Sequence, residues 1–268
     1  MLVEALDKAL IELGAMSSAG QEAGNFPYYL EQLLQELDER SDVDDGEIAR
    51  LEWAYCPFLR HSSRSFAALH RMMNGSPAFF AEVVGLVYRP SPESGITEEE
   101  AEPTEARRAV AERAYQLLSS WHGMPGVADG SIDGGRLERW IKEARRLCKK
   151  SGRAEVGDQH IGRMLAYAPD ETDGVWPATA VRGAVDVFPS LDIERGVIAG
   201  LVEKGGPTWR AVNDGGDQER ARAAEYRRFA EATRLDWPRT SAMLEKISQY
   251  YEGDGRRKDE YVRRRDWL

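Results

Sequence analysis

Apolar side chains recur at helical spacing from one end of this chain to the other, and that pattern restricts the fold more than any other feature. Leu137, Trp140, Ile141, Ala144, Leu147 and Cys148 form one stripe. Ala106, Val110, Ala114, Leu117, Leu118 and Trp121 form a second, and Met243, Leu244, Ile247, Tyr250 and Tyr251 a third. A fourth, Phe79, Phe80, Val83, Val84 and Val87, leaves Ala78, Glu82, Gly85 and Arg89 on its far side, so its 3.6-residue period favours a buried helix over a strand. Proline punctuates the pattern: Phe26-Pro27, Ser76-Pro77, Trp176-Pro177 and Trp237-Pro238 each put proline where a first helical residue would sit. The first helical N–H has no intrahelical partner, so proline costs nothing there. Asp44, Asp133 and Asp217 are the N-cap candidates, each with a carboxylate for orphan amides.

These signals predict an all-α protein, an irregular multi-helix bundle or α-solenoid-like array of about a dozen helices. They lie near 2–15, 27–40, 45–56, 63–73, 77–88, 104–122, 135–149, 155–168, 177–188, 191–203, 217–234, 238–252 and 256–266. No strict repeat is visible, so tetratricopeptide and ankyrin arrays are not supported. Residues 90–103 carry five glutamates and no basic side chain. The expected division is therefore an acidic helical subdomain at 1–90, an acidic linker at 91–103 and a second helical subdomain at 104–268.

Charge is polarised along the chain. The net charge is −10, and residues 1–52, with 13 acidic and 3 basic side chains, account for all of it. Arg256, Arg257, Lys258, Arg263, Arg264 and Arg265 gather at the other end. Such asymmetry can orient a contact or steer a charged partner. The opening Met-Leu-Val-Glu-Ala-Leu-Asp-Lys reads as a charged amphipathic helix, not a signal peptide, and no apolar run approaches the eighteen or so residues that span a bilayer. With two distant cysteines, Cys56 and Cys148, and no disulfide framework, the expected compartment is the cytoplasm.

No string in the chain spells out an assembled catalytic site. Asp129-Gly-Ser131-Ile-Asp133-Gly134 resembles the start of an EF-hand loop, but the twelfth position is Trp140 where the cage needs a bidentate Glu. A turn followed by an Asp133 cap is the preferred reading. The segment from Lys204-Gly205-Gly206 to Asp217 is glycine-rich but lacks the G-x-x-x-x-G-K-[ST] of a phosphate loop. Of the four histidines, His61, His70, His122 and His160, none is spaced for a metal helix motif. His160, beside an apolar face, reads as a structural histidine, Cys148 as core, and Cys56 lacks an evident activating partner. No catalytic, cofactor-binding or metal residue is assigned, no cofactor or small-molecule ligand is expected, and the chain is expected not to be an enzyme. The candidate contacts are Lys204, Trp209 and Arg210 in the glycine-rich segment, with Arg256, Arg257, Arg263, Arg264 and Arg265 at the basic end. A protein partner is expected. Nucleic acid, touched through the terminal arginines, is the less favoured alternative because the chain is acidic and its aromatics are not interleaved for base stacking. No membrane is expected.

Several short strings also carry a family resemblance. Leu51-Glu52-Trp53-Ala54-Tyr55, Pro77-Ala78-Phe79-Phe80 with Val87-Tyr88-Arg89, Asp158-Gln159-His160-Ile161-Gly162, Trp176-Pro177, Gly215-Gly216-Asp217-Gln218-Glu219-Arg220 and Trp237-Pro238-Arg239-Thr240 span about Leu51 to Glu252. That region resembles the C-terminal helical region of large, mostly uncharacterised bacterial multidomain proteins. The Gly205–Arg210 loop departs from the Arg-Gly-Val-x-x-Arg form of that region. The resemblance implies a terminal helical module that docks, senses or scaffolds, in a defence or mobile-element system, and it identifies no ligand.

Overall fold

A computed structural model describes residues 26–40, 42–59, 66–96, 104–169, 171, 173–205 and 215–265. Among them are eleven α-helices: α1 (Phe26–Asp38), α2 (Asp45–Tyr55), α3 (Ala67–Gly75), α4 (Pro77–Val87), α5 (Glu105–Ser120), α6 (Gly134–Lys150), α7 (Ala154–Leu165), α8 (Thr179–Val187), α9 (Leu191–Lys204), α10 (Asp217–Thr233) and α11 (Pro238–Arg265). A two-residue antiparallel ladder, β1 (Val127–Ala128) with β2 (Ser131–Ile132), is the one sheet in the described residues. The protein is all-α, as the periodicity predicts. No helix in the described residues is long and apolar enough to cross a membrane.

The chain divides into two compact units, Met1–Gly123 with Arg146–Ala154, and Met124–Arg145 with Glu155–Leu268. This differs from the expected linker at 91–103, because α4 and α5, on either side of that stretch, pack together inside the first unit. Phe80 of α4 lies against the Trp121 ring, 5.3 Å between centroids, and the Trp121 indole N–H donates to Asn74 Oδ1 at 2.8 Å.

The first unit is built on Leu30, Leu34 and Leu37 of α1, Ile48, Leu51 and Tyr55 of α2, and Phe80, Val83 and Val84 of α4, all buried. Four polar residues fix its helix ends. Asp44 caps α2 and Ser76 caps α4, with Pro77 as its first residue. Nothing local caps α3; instead the fully buried Glu52 of α2 accepts from the Ala68 and Leu69 amides at 3.3 and 2.9 Å. At the other end of α4, buried Arg153 donates to the carbonyls of Tyr88 (2.6 Å) and Gly85 (3.4 Å), the terminal acceptors a helix leaves orphaned. Gly152 stands beside it at φ +72°, where a Cβ would lie 2.6 Å from Ser94 Oγ.

In the second unit, α7 and α9 cross with their backbones almost touching. A Cβ on Gly162 would fall 2.0 Å from the Ile193 carbonyl oxygen, and one on Gly196 would fall 2.1 Å from that of Gln159. Arg182 of α8 is buried and organises the corner before it, donating to the Pro177 carbonyl (2.6 Å), the Val175 carbonyl and both oxygens of Asp173 (2.7 and 3.1 Å). Trp176-Pro177 is a cis peptide, and α8 begins at Thr179 with Glu171 accepting from the Thr179 amide and hydroxyl. Pro177 is therefore not a first helical residue. Asp186 of α8 caps α11, accepting from the Arg239 and Thr240 amides at 3.0 and 2.9 Å.

The two helices expected at 238–252 and 256–266 are one, α11 of 28 residues. Gly253 and Gly255 suggest a break, but α10 packs on α11, and the residue before it, Gly216, lies against Gly255 so closely that a Cβ on Gly216 would meet the Gly255 oxygen at 2.3 Å. Asp217 is the first residue of α10 and not its cap; Asp259 of α11 instead accepts from the Gly216 amide at 2.8 Å. Trp176 is buried, its ring edge-on to Tyr226 at 5.8 Å. Trp237 is half-buried, with the Arg182 guanidinium 5.1 Å from its ring centroid. Neither indole N–H has a hydrogen-bond partner among the described residues.

Candidate functional site

Three helices of the first unit leave an open, mostly apolar groove of about 440 Å³. Each helix offers a single face to it. From α2 come Gly46, Ala49, Arg50 and Trp53, from α3 Leu69 and Met72, and from α4 Phe79, Glu82, Val83 and Leu86. The spacings, i, i+3, i+4 and i+7 on α2 and again on α4, are those of one helical face. Trp53, Met72 and Phe79 are half-buried and Leu86 is 40 % exposed, so the groove wall is reachable from solvent.

The wall is held by the polar contacts already described. Glu52 ties the start of α3 to α2, and Ser76 ends α3 and starts α4 with no intervening loop. Arg71 of α3 pairs with both oxygens of Asp45 on α2, at 3.0 and 2.6 Å. That hydrogen-bonded guanidinium holds the Asp45 carboxyl below the usual range, with burial acting in the opposite sense. The charged residues lining the groove are Arg50 and Glu82. An apolar wall with one charge of each sign suits a side-chain stripe from another segment and offers no acid–base pair or nucleophile.

None of the described residues named from sequence as a contact lines the groove. Lys204 is the last residue of α9, its ammonium 5.8 Å from the centre of the Tyr167 ring. Trp209 and Arg210 lie outside the described residues. Arg256, Arg257, Arg263 and Arg264 are exposed on α11, which closes at Arg265. Their charge is interleaved with acid: Arg257 pairs with Asp254 at 3.2 Å and Arg264 with Glu260 at 4.0 Å. Lys258 is taken by buried Glu219 and by Asp254, both at 2.7 Å. The basic run is thus an alternating surface, less positive than its sequence suggests.

The other motifs resolve as structure. Asp129 (φ +49°) and Gly130 (φ +76°) are the two-residue turn between β1 and β2, and Asp133 Oδ1 accepts from the Arg136 amide at 2.9 Å to cap α6. Trp140 is buried. No group of three or more candidate metal ligands occurs among the described residues. Burial pushes the His70 imidazole down to about 4, with Ser120 Oγ 3.2 Å from its Nε2. Burial, then the nearby Arg163 charge, pushes His160 down to about 4 as well. His122 is exposed, and His61 lies outside the described residues. Cys56 and Cys148 are buried, the Cys56 thiol 2.8 Å from Gln116 Oε1.

In the sequence, Phe79 and Val83 belong to an apolar core stripe, and Trp53 belongs to one of the strings that carry the family resemblance. The usable signal was a second face on the same helices, Gly46–Ala49–Arg50–Trp53 and Phe79–Glu82–Val83–Leu86, too apolar for solvent alone. Comparison with family models, with curated proteins and with solved structures found no match to this chain.

Proposed function

We propose that the protein is a non-catalytic helical interaction module whose working surface is the α2–α3–α4 groove, which holds an amphipathic helical segment of a protein. The observation that carries this reading is the pairing of half-exposed Trp53, Met72, Phe79 and Leu86 on a wall fixed by the polar caps Ser76 and buried Glu52. Helix-in-groove recognition needs a preformed apolar trough with anchors spaced along it, and aromatic residues dominate such contacts. The resemblance of residues 51–252 to terminal helical regions of larger bacterial proteins supports the same reading, and two of its strings, at 51–55 and 77–80, contribute Trp53 and Phe79.

The experiment is affinity purification of the full chain from its native cell, beside Leu86→Asp and an Arg263→Glu/Arg264→Glu variant. A protein recovered in stoichiometric amount by the wild type, retained by the arginine variant and lost from Leu86→Asp supports the groove. Recovery unaffected by Leu86→Asp rejects it.

A second reading has its own observation. Asp259 of α11 reaches the start of α10, so the last turn of α11, with Tyr261 64 % exposed and Arg263 and Arg264 free of the α10 surface, runs past its partner helix. An exposed ring among arginines fits nucleic acid. Binding there would fall linearly in log affinity against log salt and weaken in the arginine variant; no binding at about 50 mM salt rejects it.

A further inference from the structure

We propose that the outer face of α6 is a binding surface for nucleic acid, holding the phosphate backbone of a duplex without reading its sequence. Helix α6 (Gly134–Lys150) carries seven cations and two acids over 17 residues. At about 3.6 residues per turn, Arg139, Lys142, Arg146, Lys149 and Lys150 fall within one arc of about 100°. All five are exposed, and no other residue from 138 to 150 falls in that arc. Leu137, Ile141, Ala144 and Cys148 are buried on the opposite side. The two acids, Glu138 and Glu143, stand just beyond the two edges of the arc and are half-buried. Arg139, Lys142, Lys149 and Lys150 have no ion-pair partner among the described residues. The basic end of α11 differs in this respect, since Arg257 and Lys258 already hold Asp254 and Arg264 reaches Glu260.

Like charges three and four residues apart repel one another on a helix, so this face costs stability until an anion covers it. The C-terminal end of the helix dipole accounts for Lys149 and Lys150 but not for the three cations before them. The occupant follows from what the face lacks. A helix lying on a bilayer surface sets an apolar face beside its basic one, and protein interfaces are built on apolar centres and are poor in lysine. No apolar side chain stands on this arc, and Trp140 is buried away from it. A phosphate backbone asks only for cations at regular spacing. From Arg139 to Lys150 the helix axis runs about 16 Å, over which one duplex strand offers about five phosphates at about 3.4 Å each. Five cations meet that number. The arc holds no Asn, Gln or aromatic residue to read a base edge or stack on a base, so contact is with the backbone, and the higher charge density of a duplex is favoured over a single strand. The face shares no residue with the lining of the α2–α3–α4 groove.

The test is fluorescence anisotropy of the full chain with labelled duplex DNA of about 24 base pairs, titrated between about 50 and 200 mM salt. Five phosphate contacts give a slope of about −4.5 in log affinity against log salt, a loss of about 500-fold across that range. Arg139→Gln/Lys142→Gln/Lys149→Gln removes three of them and should bring the slope to about −2, while Arg263→Glu/Arg264→Glu should leave it unchanged. Circular dichroism checks that each variant is folded, and Lys142→Gln alone, which should lower the slope by about one, decides the matter if the triple variant is not. An unrelated duplex should bind equally, and a single strand of the same length more weakly. No binding by the wild type at about 50 mM salt overturns the proposal. So does binding indifferent to the α6 variants; if the α11 arginine variant abolishes it instead, the phosphate contact lies at the tip of α11. Tighter binding to phosphatidylserine vesicles than to duplex, lost in the α6 variants, overturns it in favour of an anionic membrane surface. Self-association lost in the α6 variants, without DNA binding, overturns it in favour of the acidic surface of a second copy.

Discussion

Replacing Gly196 by alanine tests whether the contact between α7 and α9 is as close as described. The added Cβ would sit 2.1 Å from the Gln159 carbonyl oxygen and 2.9 Å from Gly162 Cα. Carbon and oxygen approach to about 3.3 Å at closest even in favourable C–H···O contacts, so the helices must part by about 1.2 Å. Both obstacles are backbone atoms and cannot rotate away. Overpacking costs about 1–3 kcal/mol, and a backbone clash belongs at the upper end. Alanine returns up to about 1 kcal/mol of helix propensity, leaving a net loss of about 2 kcal/mol. Gly183→Ala is the control, since its Cβ would meet only Glu138 Oε1 at 3.8 Å, and it should stabilise by up to about 1 kcal/mol. The two variants should therefore differ by about 3 kcal/mol in urea titrations followed by circular dichroism, read on the transition of the second unit. Equal midpoints for Gly196→Ala and Gly183→Ala would show that the helices do not cross backbone to backbone.

Trp176→Ala should cost about 3–5 kcal/mol, as for a buried large ring, while half-buried Trp237 stacked on Arg182 should cost about 1–2 kcal/mol; thermal melts rank the two. Glu52→Ala should destabilise the first unit by about 2–3 kcal/mol, because two buried amides at the start of α3 lose a charged acceptor, and Glu52→Gln should recover part of that loss. His70 and His160 are held neutral by burial, each about 4 against an ordinary 6.5. The unfolded chain then binds protons that the folded chain does not between these values, so stability is full above pH 6.5 and falls as pH drops toward 4. Denaturation midpoints measured across that window should decline in the wild type and decline less in His70→Gln/His160→Gln; equal slopes would refute the burial argument.

Most helices were legible because their cores are local stripes: Leu137, Ile141 and Ala144, or Met243, Leu244 and Ile247, are buried as their spacing predicts. Caps that act over two or three residues, Asp44, Ser76 and Asp133, follow from local chemistry too. What sequence does not carry is tertiary rescue. Glu52 caps a helix that begins fifteen residues later, and Gly255 sits inside a helix where the backbone of Gly216 lies against it. The groove is hidden for the same reason. Trp53 and Phe79 read as ordinary apolar helix residues until three helices are brought together.

The α10–α11 hairpin has a mechanical consequence. At 1.5 Å per residue, α11 is a rod of about 42 Å. It is seated on Asp186 at its start, stitched to α10 by Ser241 and Ser248 hydroxyls donating to the Ala230 and Ala223 carbonyls, and clamped near its end by Asp259. These contacts, at its start, along its first half and near its end, fix its register against α8 and α10. A small change of angle at the Asp186 seat would be multiplied along the shaft and delivered as a displacement of Tyr261 and Arg264 at its tip.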